Sequence, residues 1–165
     1  MCFIVPLLLT SPYKPRYIAM ICLLQRVKKA KVVISEQTVG QIETGLLVFV
    51  CAESSDSPQT IDKALQKMTS LRIFSDKENK MNLSLEQVNG GLLLVSQFTL
   101  AADTRRGNRP GFSQAAPPAQ AKALFDLMVQ RAKSTYPKVQ TGEFGADMQV
   151  HLINDGPVTI PMQFD

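Results

Sequence analysis

Two short segments of this 165-residue sequence carry polar groups that could do chemistry. The first is SQFTL, residues 96–100, which follows the apolar run LLLV. Ser96, Gln97 and Thr99 therefore stand at the end of a predicted buried strand, where a polar group without a hydrogen bond is costly. Such groups either bond the local backbone or face a pocket, and the residue pattern alone favours the structural interpretation.

The second segment is NDGPVT, residues 154–159, which follows the alternating stretch DMQVHLI. Asp155 and Gly156 between two apolar runs are a hairpin signal, and Pro157 is tolerated at the start or the edge of a strand. By itself this segment predicts a hairpin. It would gain a functional meaning only if another segment supplied chemistry that needs a rigid backbone feature.

Histidine and cysteine offer little further chemistry. His151 is the single histidine and lies in the alternating stretch DMQVHLI, so a Ser-His-Asp triad is excluded unless His151 is its base. The cysteines are odd in number, lack CxxC spacing and have no histidine nearby; they are Cys2, Cys22 and Cys51. We therefore expect neither a metal site nor a disulfide framework, and no cofactor.

Composition and charge are those of an ordinary globular protein, with 45% hydrophobic and 19% charged residues and a formal net charge of +4. The basic residues cluster in two places, which are Arg26, Lys28, Lys29 and Lys31, and then Arg105, Arg106 and Arg109. Such clusters usually face water, and they are compatible with a nucleic-acid partner without proving one.

Residues 1–19 resemble a hydrophobic leader only at first glance. No basic residue precedes the apolar run, Pro6 interrupts it, and the run is too short to span a bilayer. We predict an N-terminal extension of doubtful function, followed by one domain over residues 20–165. That domain is expected to be cytoplasmic, without membrane contact.

Apolar periodicity predicts mainly strands. The predicted strands are MICLLQRV from Met20, KVVIS and TVGQI joined by a turn at Glu36 and Gln37, GLLVFVCA at 45–52, LLLVSQF at 92–98, and three more around KVQTG, DMQVHLI and VTIPMQF. The continuous apolar run at 45–52 is typical of a strand that is buried on both faces.

Two helices interrupt the strands. Ser57 as N-cap and Pro58 at the first position predict one helix, with apolar residues from Ile61 to Leu71 at helical spacing. Pro117 and Pro118 open the second, whose apolar face runs from Ala121 to Ala132. We predict an α+β fold, in which a mixed, mostly antiparallel sheet curves into a barrel-like body with two main helices packed on it.

SQFTL and NDGPVT, together with KMN at 80–82, ADTRRGNRP at 102–110 and FGADMQV at 144–150, resemble the D-aminoacyl-tRNA deacylase family. The resemblance covers nearly all of residues 20–165. The sequence departs from the family pattern at Ala101, where tyrosine is frequent, and at Gly111, where serine is frequent. Residues 1–19 have no counterpart.

The resemblance implies a homodimeric enzyme that hydrolyses the ester between a D-amino acid, or glycine, and the terminal adenosine of tRNA. It implies that Gly156 and Pro157 form a cis Gly-Pro that reaches into the partner subunit's pocket and excludes L-amino acids. Ser96, Gln97, Phe98 and Thr99 would border the scissile ester, with the amides of Phe98 and Thr99 facing the developing oxyanion. Phe144 and Met148 would pack on the terminal adenine. Both basic clusters would face acceptor-stem phosphates.

The nucleophile stays open between two possibilities. Thr99 would need an adjacent base, and the sequence offers none that is reliable. We therefore favour water attack assisted by the ribose 2′-hydroxyl of the substrate. Two other functions compete with chiral proofreading: editing of a mischarged L-aminoacyl-tRNA, and a non-catalytic RNA-binding module.

Overall fold

The computed structural model describes residues 20–164. The predicted extension at residues 1–19 and the last residue, Asp165, lie outside the described residues. The elements in chain order are β1 (Met20–Ile34), β2 (Gln37–Ile42), β3 (Gly45–Cys51), α1 (Pro58–Ser70), β4 (Phe74–Ser75), β5 (Met81–Leu83), β6 (Gly91–Ser96), a 3-10 helix (Phe98–Ala101), α2 (Pro118–Thr135), β7 (Val139–Thr141) and β8 (Gln149–Phe164). The predicted α+β class is confirmed.

Six of the strands form one curved sheet in the order β2-β1-β3-β6-β7, with β8 paired to β1. Strand β1 is antiparallel to β2, β3 and β8, whereas β3, β6 and β7 run parallel to one another. The sheet curls until β2 approaches β7. A Cβ on Gly40 would lie 2.5 Å from the carbonyl oxygen of Thr141, so only glycine lets these two backbones meet. The predicted barrel-like body is confirmed.

The core lies on both faces of the sheet. Alternate residues of β3 and β6 point to opposite sides, so Leu46 and Leu92 pack under the helices while Leu47 and Leu93 fill the interior of the curved sheet. The predicted burial of the 45–52 run on both faces is confirmed.

Both helices begin where the sequence predicts. Ser57 caps α1 in a capping box with Thr60, and Pro58 occupies the first turn. Its buried face is formed by Thr60, Ile61, Ala64, Leu65, Met68 and Thr69. Helix α2 begins at Pro118 with Pro117 as its cap, and buries Leu124, Phe125, Met128 and Ala132. Within residues 20–164 neither of these helices, nor any other, is long and apolar enough to cross a membrane.

The first hairpin differs from its prediction by one residue. Strand β1 is continuous over 15 residues, and Ile34 pairs with Gln37. The turn is therefore Ser35 and Glu36, whose φ values are 46° and 65°, and not Glu36 and Gln37. Two central residues with positive φ give the backbone twist that a two-residue hairpin requires.

The predicted hairpin at Asp155 and Gly156 is wrong. Asn154 pairs with Val27 and Thr159 pairs with Gln25, so both flanks lie along the same neighbour, β1, and in the same direction. Residues 155–158 face the single residue Arg26 as a bulge within β8. The predicted strand at 92–98 is also shorter, because β6 ends at Ser96 and the 3-10 helix begins at Phe98.

Candidate active site

A largely apolar cavity of about 630 Å³ opens at one edge of the sheet. Because β3, β6 and β7 are parallel, their carboxyl ends meet at this edge, which is where open sheets commonly bind ligands. Its walls come from the ends of β3 and β6, the start of α2 and the segment after β7; the lining includes Cys51, Ala52, Ser96, Gln97, Phe98, Phe112, Ala121, Leu124, Phe125, Phe144 and Met148.

Strand β6 places the SQFTL segment against this cavity. The amide of Gln97 donates to the carbonyl oxygen of Val50 at 2.7 Å, which ties the end of β6 to β3. The 3-10 helix then begins at once. Phe98 and Thr99 occupy its first two positions, where an N–H has no acceptor within the helix.

Thr99 is separate from the cavity wall. Its side chain is exposed and its Oγ1 accepts a hydrogen bond from Gln97 Nε2. In the described chain the cavity lining includes Ser96, Gln97 and Phe98 but neither Thr99 nor His151. His151 is exposed on β8 and pairs with Lys31, whereas its neighbour Val150 points into the cavity. The geometry therefore gives Thr99 no histidine base.

Aromatic side chains form two walls of the cavity. The ring of Phe98 meets that of Phe112 edge to face, with centroids 5.0 Å apart and an interplanar angle of 71°. The rings of Phe144 and Phe125 form a second pair, with centroids 6.3 Å apart and an interplanar angle of 43°, and Met148 also lines the cavity. Phe98 is 57% exposed. A flat ligand could therefore contact aromatic faces while staying open to solvent.

A basic loop stands next to Phe112. Reciprocal backbone bonds between Asp103 and Gly111, at 2.7 and 2.9 Å, close its base. Arg105 forms two side-chain hydrogen bonds to Asp103, of 2.8 and 2.6 Å, and these hold the pKa of the Asp103 carboxyl well below its usual range. Arg106 and Arg109 are exposed on the same loop. Positive charge is thus concentrated on the loop that leads to Phe112, a lining residue of the cavity.

Cys51 lines the cavity, but its electrostatics argue against a nucleophile. Burial raises the pKa of its thiol to about 11, and the Glu53 carboxylate adds to that effect. The thiolate, which is the reactive form, is therefore scarce near neutral pH.

Asp56 accepts hydrogen bonds from the amides of Met20 and Glu53 at 2.9 and 2.7 Å, and burial raises the pKa of its carboxyl. Asp56 thus holds the start of β1.

Gly156 and Pro157 lie elsewhere. The peptide bond between them is cis, and both residues are exposed. Within the described chain they do not belong to the cavity lining. Their neighbour is Arg26, whose Nη2 would be 3.3 Å from a Cβ built on Gly156.

Arg26 corrects one expectation about the first basic cluster. It is only 8% exposed, donates from Nε to the carbonyl oxygen of Asp155 at 2.8 Å and from Nη1 to that of Ile73 at 2.5 Å. A buried guanidinium whose N–H groups already donate to two backbone carbonyl groups cannot also face phosphates. Lys28 is exposed and pairs with Asp155 at 3.3 Å, and Lys29 and Lys31 are also exposed.

The structure brings together five of the eight predicted site residues, namely Ser96, Gln97, Phe98, Phe144 and Met148. Their roles stay predictions. Sequence reasoning missed Phe112 and Phe125, which also line the cavity. Phe112 had a signal, since it is the one aromatic residue in the polar stretch at 102–116. Phe125 looked like an ordinary helix-core residue.

Known proteins resemble this chain over most of its length. The family model described as D-Tyr-tRNA(Tyr) deacylase matches residues 23–163. A D-aminoacyl-tRNA deacylase of Acidovorax ebreus (strain TPSY) is 58% identical over 149 residues, covering 87% of this chain and 97% of the relative. One of Pseudomonas putida (strain KT2440) is 60% identical over 141 residues, covering 86% and 97%.

Solved structures share the fold of this chain. The c-Myc DNA unwinding element binding protein superposes with a TM-score of 0.82 at 33% identity, covering 87% of this chain and 97% of that one. A probable eukaryotic D-amino acid tRNA deacylase shares the fold, with a TM-score of 0.75 at 18% identity over 87% of this chain and 98% of that one.

Together, the fold and these relatives define an enzyme of the hydrolase class that acts on ester bonds. More closely, the chain belongs to the D-aminoacyl-tRNA deacylase family. Hydrolysis of D-aminoacyl-tRNA is the activity that this membership supports.

Proposed function

We propose that this enzyme proofreads chirality in the cytoplasm, by cleaving D-aminoacyl-tRNA and also glycyl-tRNA mischarged on another tRNA, while sparing L-aminoacyl-tRNA. The observation that carries the proposal is the cavity itself. It joins the Ser96–Phe98 edge to aromatic side chains, and exposed arginines lie on the loop that leads to its lining residue Phe112. These are the three features that an ester at the end of a single-stranded RNA would require.

Phe144 and Met148 are proposed to hold the terminal adenine, because unstacked bases of RNA ends pack on apolar and aromatic side chains. The ester then lies beside Ser96 and Gln97. Arg106 and Arg109 contact acceptor-stem phosphates without reading sequence, which suits an enzyme that must accept many tRNAs.

The proposed reaction is hydrolysis. Water attacks the ester carbonyl carbon, its proton passes toward the departing 3′-oxygen of the ribose, and the bond between that oxygen and the acyl carbon breaks. The amides of Phe98 and Thr99 bind the oxyanion that develops on the carbonyl. The ribose 2′-hydroxyl assists the water, because no side chain in the cavity lining of residues 20–164 is a suitable base. The products are a free amino acid and tRNA.

The backbone of Gly156 and Pro157 is proposed to discriminate D- from L-configuration at the substrate α-carbon. Gly156 and Pro157 are exposed and lie apart from the cavity of their own chain. They are therefore available to a second subunit, and we propose a homodimer in which each pair enters the partner's cavity. With no Cβ, Gly156 lets the backbone approach the substrate α-carbon, bind its amino group and collide with any L side chain.

The direct test compares deacylation of D-tyrosyl-tRNA and L-tyrosyl-tRNA by the full chain, together with glycyl-tRNA charged on a non-cognate tRNA. Cleavage of the D-ester and the glycyl ester with retention of the L-ester is the expected result. Cleavage of the L-ester at a similar rate would instead support editing of mischarged L-amino acids. Salt-sensitive tRNA binding without any cleavage would support a non-catalytic RNA-binding module.

A further inference from the structure

One side chain closes the base of the bulge that carries Gly156 and Pro157. Asn154 Oδ1 accepts a hydrogen bond from the amide of Val158 at 2.7 Å. Its Nδ2 donates to the carbonyl oxygen of Val158 at 3.1 Å and to Thr159 Oγ1 at 3.0 Å. The Asn154 side-chain amide thus reaches across residues 155–157 and forms hydrogen bonds with both the N–H and the C=O of Val158.

These bonds take the place of the backbone hydrogen bonds that Val158 would form with β1 in a regular sheet. Val158 lies inside the bulge, where residues 155–158 face only Arg26, so it has no partner residue of its own on β1. It is nonetheless buried, with 9% exposed. A buried N–H and a buried C=O without hydrogen bonds would each be costly. An asparagine side chain can accept from one and donate to the other at the same time, which an ionised aspartate or an alanine cannot do.

Two neighbours fix the same bulge from other directions. Gln25 Nε2 donates to Thr159 Oγ1 at 3.2 Å, and Arg26 Nε donates to the carbonyl oxygen of Asp155 at 2.8 Å. The residues on either side of the Gly-Pro pair are therefore held, while the pair itself stays exposed. The arrangement leaves Gly156 and Pro157 projecting from a rigid base.

We infer that Asn154 is a positioning residue for chiral selection. It does not contact substrate; it sets the direction in which the Gly156 and Pro157 backbone projects. This inference rests on the proposed function, in which that backbone discriminates a D from an L substituent at the α-carbon. Loosening the base lets the backbone move away from the side that an L side chain would occupy, so the loss should fall on discrimination more than on catalysis.

The test uses the full chain carrying Asn154→Ala, with Asn154→Asp as a milder variant that keeps the acceptor for the Val158 amide and loses the donor. The kcat/KM for D-tyrosyl-tRNA and for L-tyrosyl-tRNA is measured for each. We expect the D-to-L ratio to fall at least tenfold in Asn154→Ala and by less in Asn154→Asp. Gln163→Ala, an exposed amide on the same strand β8, should leave the ratio unchanged.

Amide hydrogen exchange supplies the independent readout. The Val158 amide should exchange faster in Asn154→Ala than in the unchanged protein, because its acceptor is gone. An unchanged D-to-L ratio in a folded Asn154→Ala would overturn the inference. If Asn154→Ala does not fold, Thr159→Val takes its place, because it removes one acceptor of the Asn154 Nδ2 donor. An unchanged D-to-L ratio in both Thr159→Val and Asn154→Asp would then overturn the inference. Absence of cleavage by the unchanged protein would overturn the proposed function, and with it any role of Asn154 in selection.

Discussion

Arg26 and Asp155, 129 residues apart in the sequence, are joined by a 2.8 Å hydrogen bond from Nε to the carbonyl oxygen and by a 3.5 Å ion pair between Nε and Oδ2. The same guanidinium donates from Nη1 to Ile73. One buried cation therefore links the bulge of β8, which carries Gly156 and Pro157, to the chain just before β4.

Replacement of Arg26 by alanine should lower both stability and activity. The carbonyl groups of Asp155 and Ile73 would lose their donor. The bond to Ile73 is buried, and a buried acceptor without a partner costs about 1–3 kcal/mol of unfolding free energy. Arg26→Lys should rescue only in part, because one ammonium group cannot reproduce the fork of the guanidinium. Denaturant unfolding and deacylation of D-tyrosyl-tRNA measure the two effects.

Lys29→Ala is the control, because it removes an exposed cation from the same strand. It should change the free energy of unfolding by less than about 0.5 kcal/mol. An Arg26→Ala variant as stable as Lys29→Ala would contradict the structural role.

Gly156→Ala should be poorly tolerated for two separable reasons. The φ of Gly156 is 150°, a backbone conformation that costs other residues about 1–3 kcal/mol. A Cβ there would also lie 2.7 Å from Val158 Cγ2 and 2.8 Å from the Val158 amide nitrogen. We expect a lower melting temperature and a loss of selective deacylation.

Gly107→Ala is the matched control for that substitution. Its φ is 63° but nothing lies within 4 Å of the added Cβ, so only the conformational cost of about 1–2 kcal/mol applies. Equal destabilisation by the two variants, with the D-to-L ratio intact in both, would show that the crowding at Gly156 has no consequence.

Local signals made several elements predictable. Ser57 and Pro58 define the start of α1 because a cap and its proline act within one turn. The run at 45–52 predicts a strand buried on both faces, because nothing polar interrupts it. Ser96, Gln97 and Phe98 could be placed at a pocket only through a resemblance, since their residue types fit a strand end equally well.

The predictions that were wrong concern residues whose contacts lie far away in the sequence. The bulge at 155–158 looks like a hairpin until it is known that both flanks pair with β1. Arg26 looks like one more surface cation until the carbonyl groups of Ile73 and Asp155 are brought to it. The aromatic contact between Phe98 and Phe112 likewise depends on how the loop at 102–116 closes.

Thr99→Ala should retain most of the deacylase activity. The Thr99 side chain is exposed, contacts Gln97 and lies apart from the cavity lining of the described chain. We expect kcat/KM on D-tyrosyl-tRNA within about threefold of the unchanged protein, which corresponds to less than about 1 kcal/mol of transition-state stabilisation. A substrate whose terminal ribose lacks the 2′-hydroxyl should react far more slowly with both proteins. A drop of a thousandfold or more in Thr99→Ala would instead identify Thr99 as the nucleophile.

Cys51 should resist alkylation in the folded enzyme. Burial raises the pKa of its thiol from the ordinary value of 9.0 to about 11. At pH 8 roughly one thiol in a thousand is then ionised, against roughly one in ten at the unshifted value. Iodoacetamide labelling of the Cys51 peptide, followed by mass spectrometry, should be slow at pH 8, rise as the pH approaches 11, and become fast after denaturation. Cys51→Ala should keep deacylase activity. Rapid labelling at pH 7.5 with parallel inactivation would make Cys51 a candidate nucleophile again.

Arg106 and Arg109 should account for part of the salt dependence of the reaction. Both are exposed on the loop beside Phe112, where they could approach acceptor-stem phosphates. The measurement is a plot of log kcat/KM on D-tyrosyl-tRNA against log salt concentration. Arg106→Ala and Arg109→Ala should each make its slope less steep, by roughly 0.7–0.9 for every phosphate contact that is lost. Cleavage of a D-aminoacyl-adenosine, which has no acceptor stem, should be unaffected. Lys67→Ala removes an exposed cation from α1 and should leave the slope as it is. A slope that is equal in all three variants would place the tRNA on another face of the molecule.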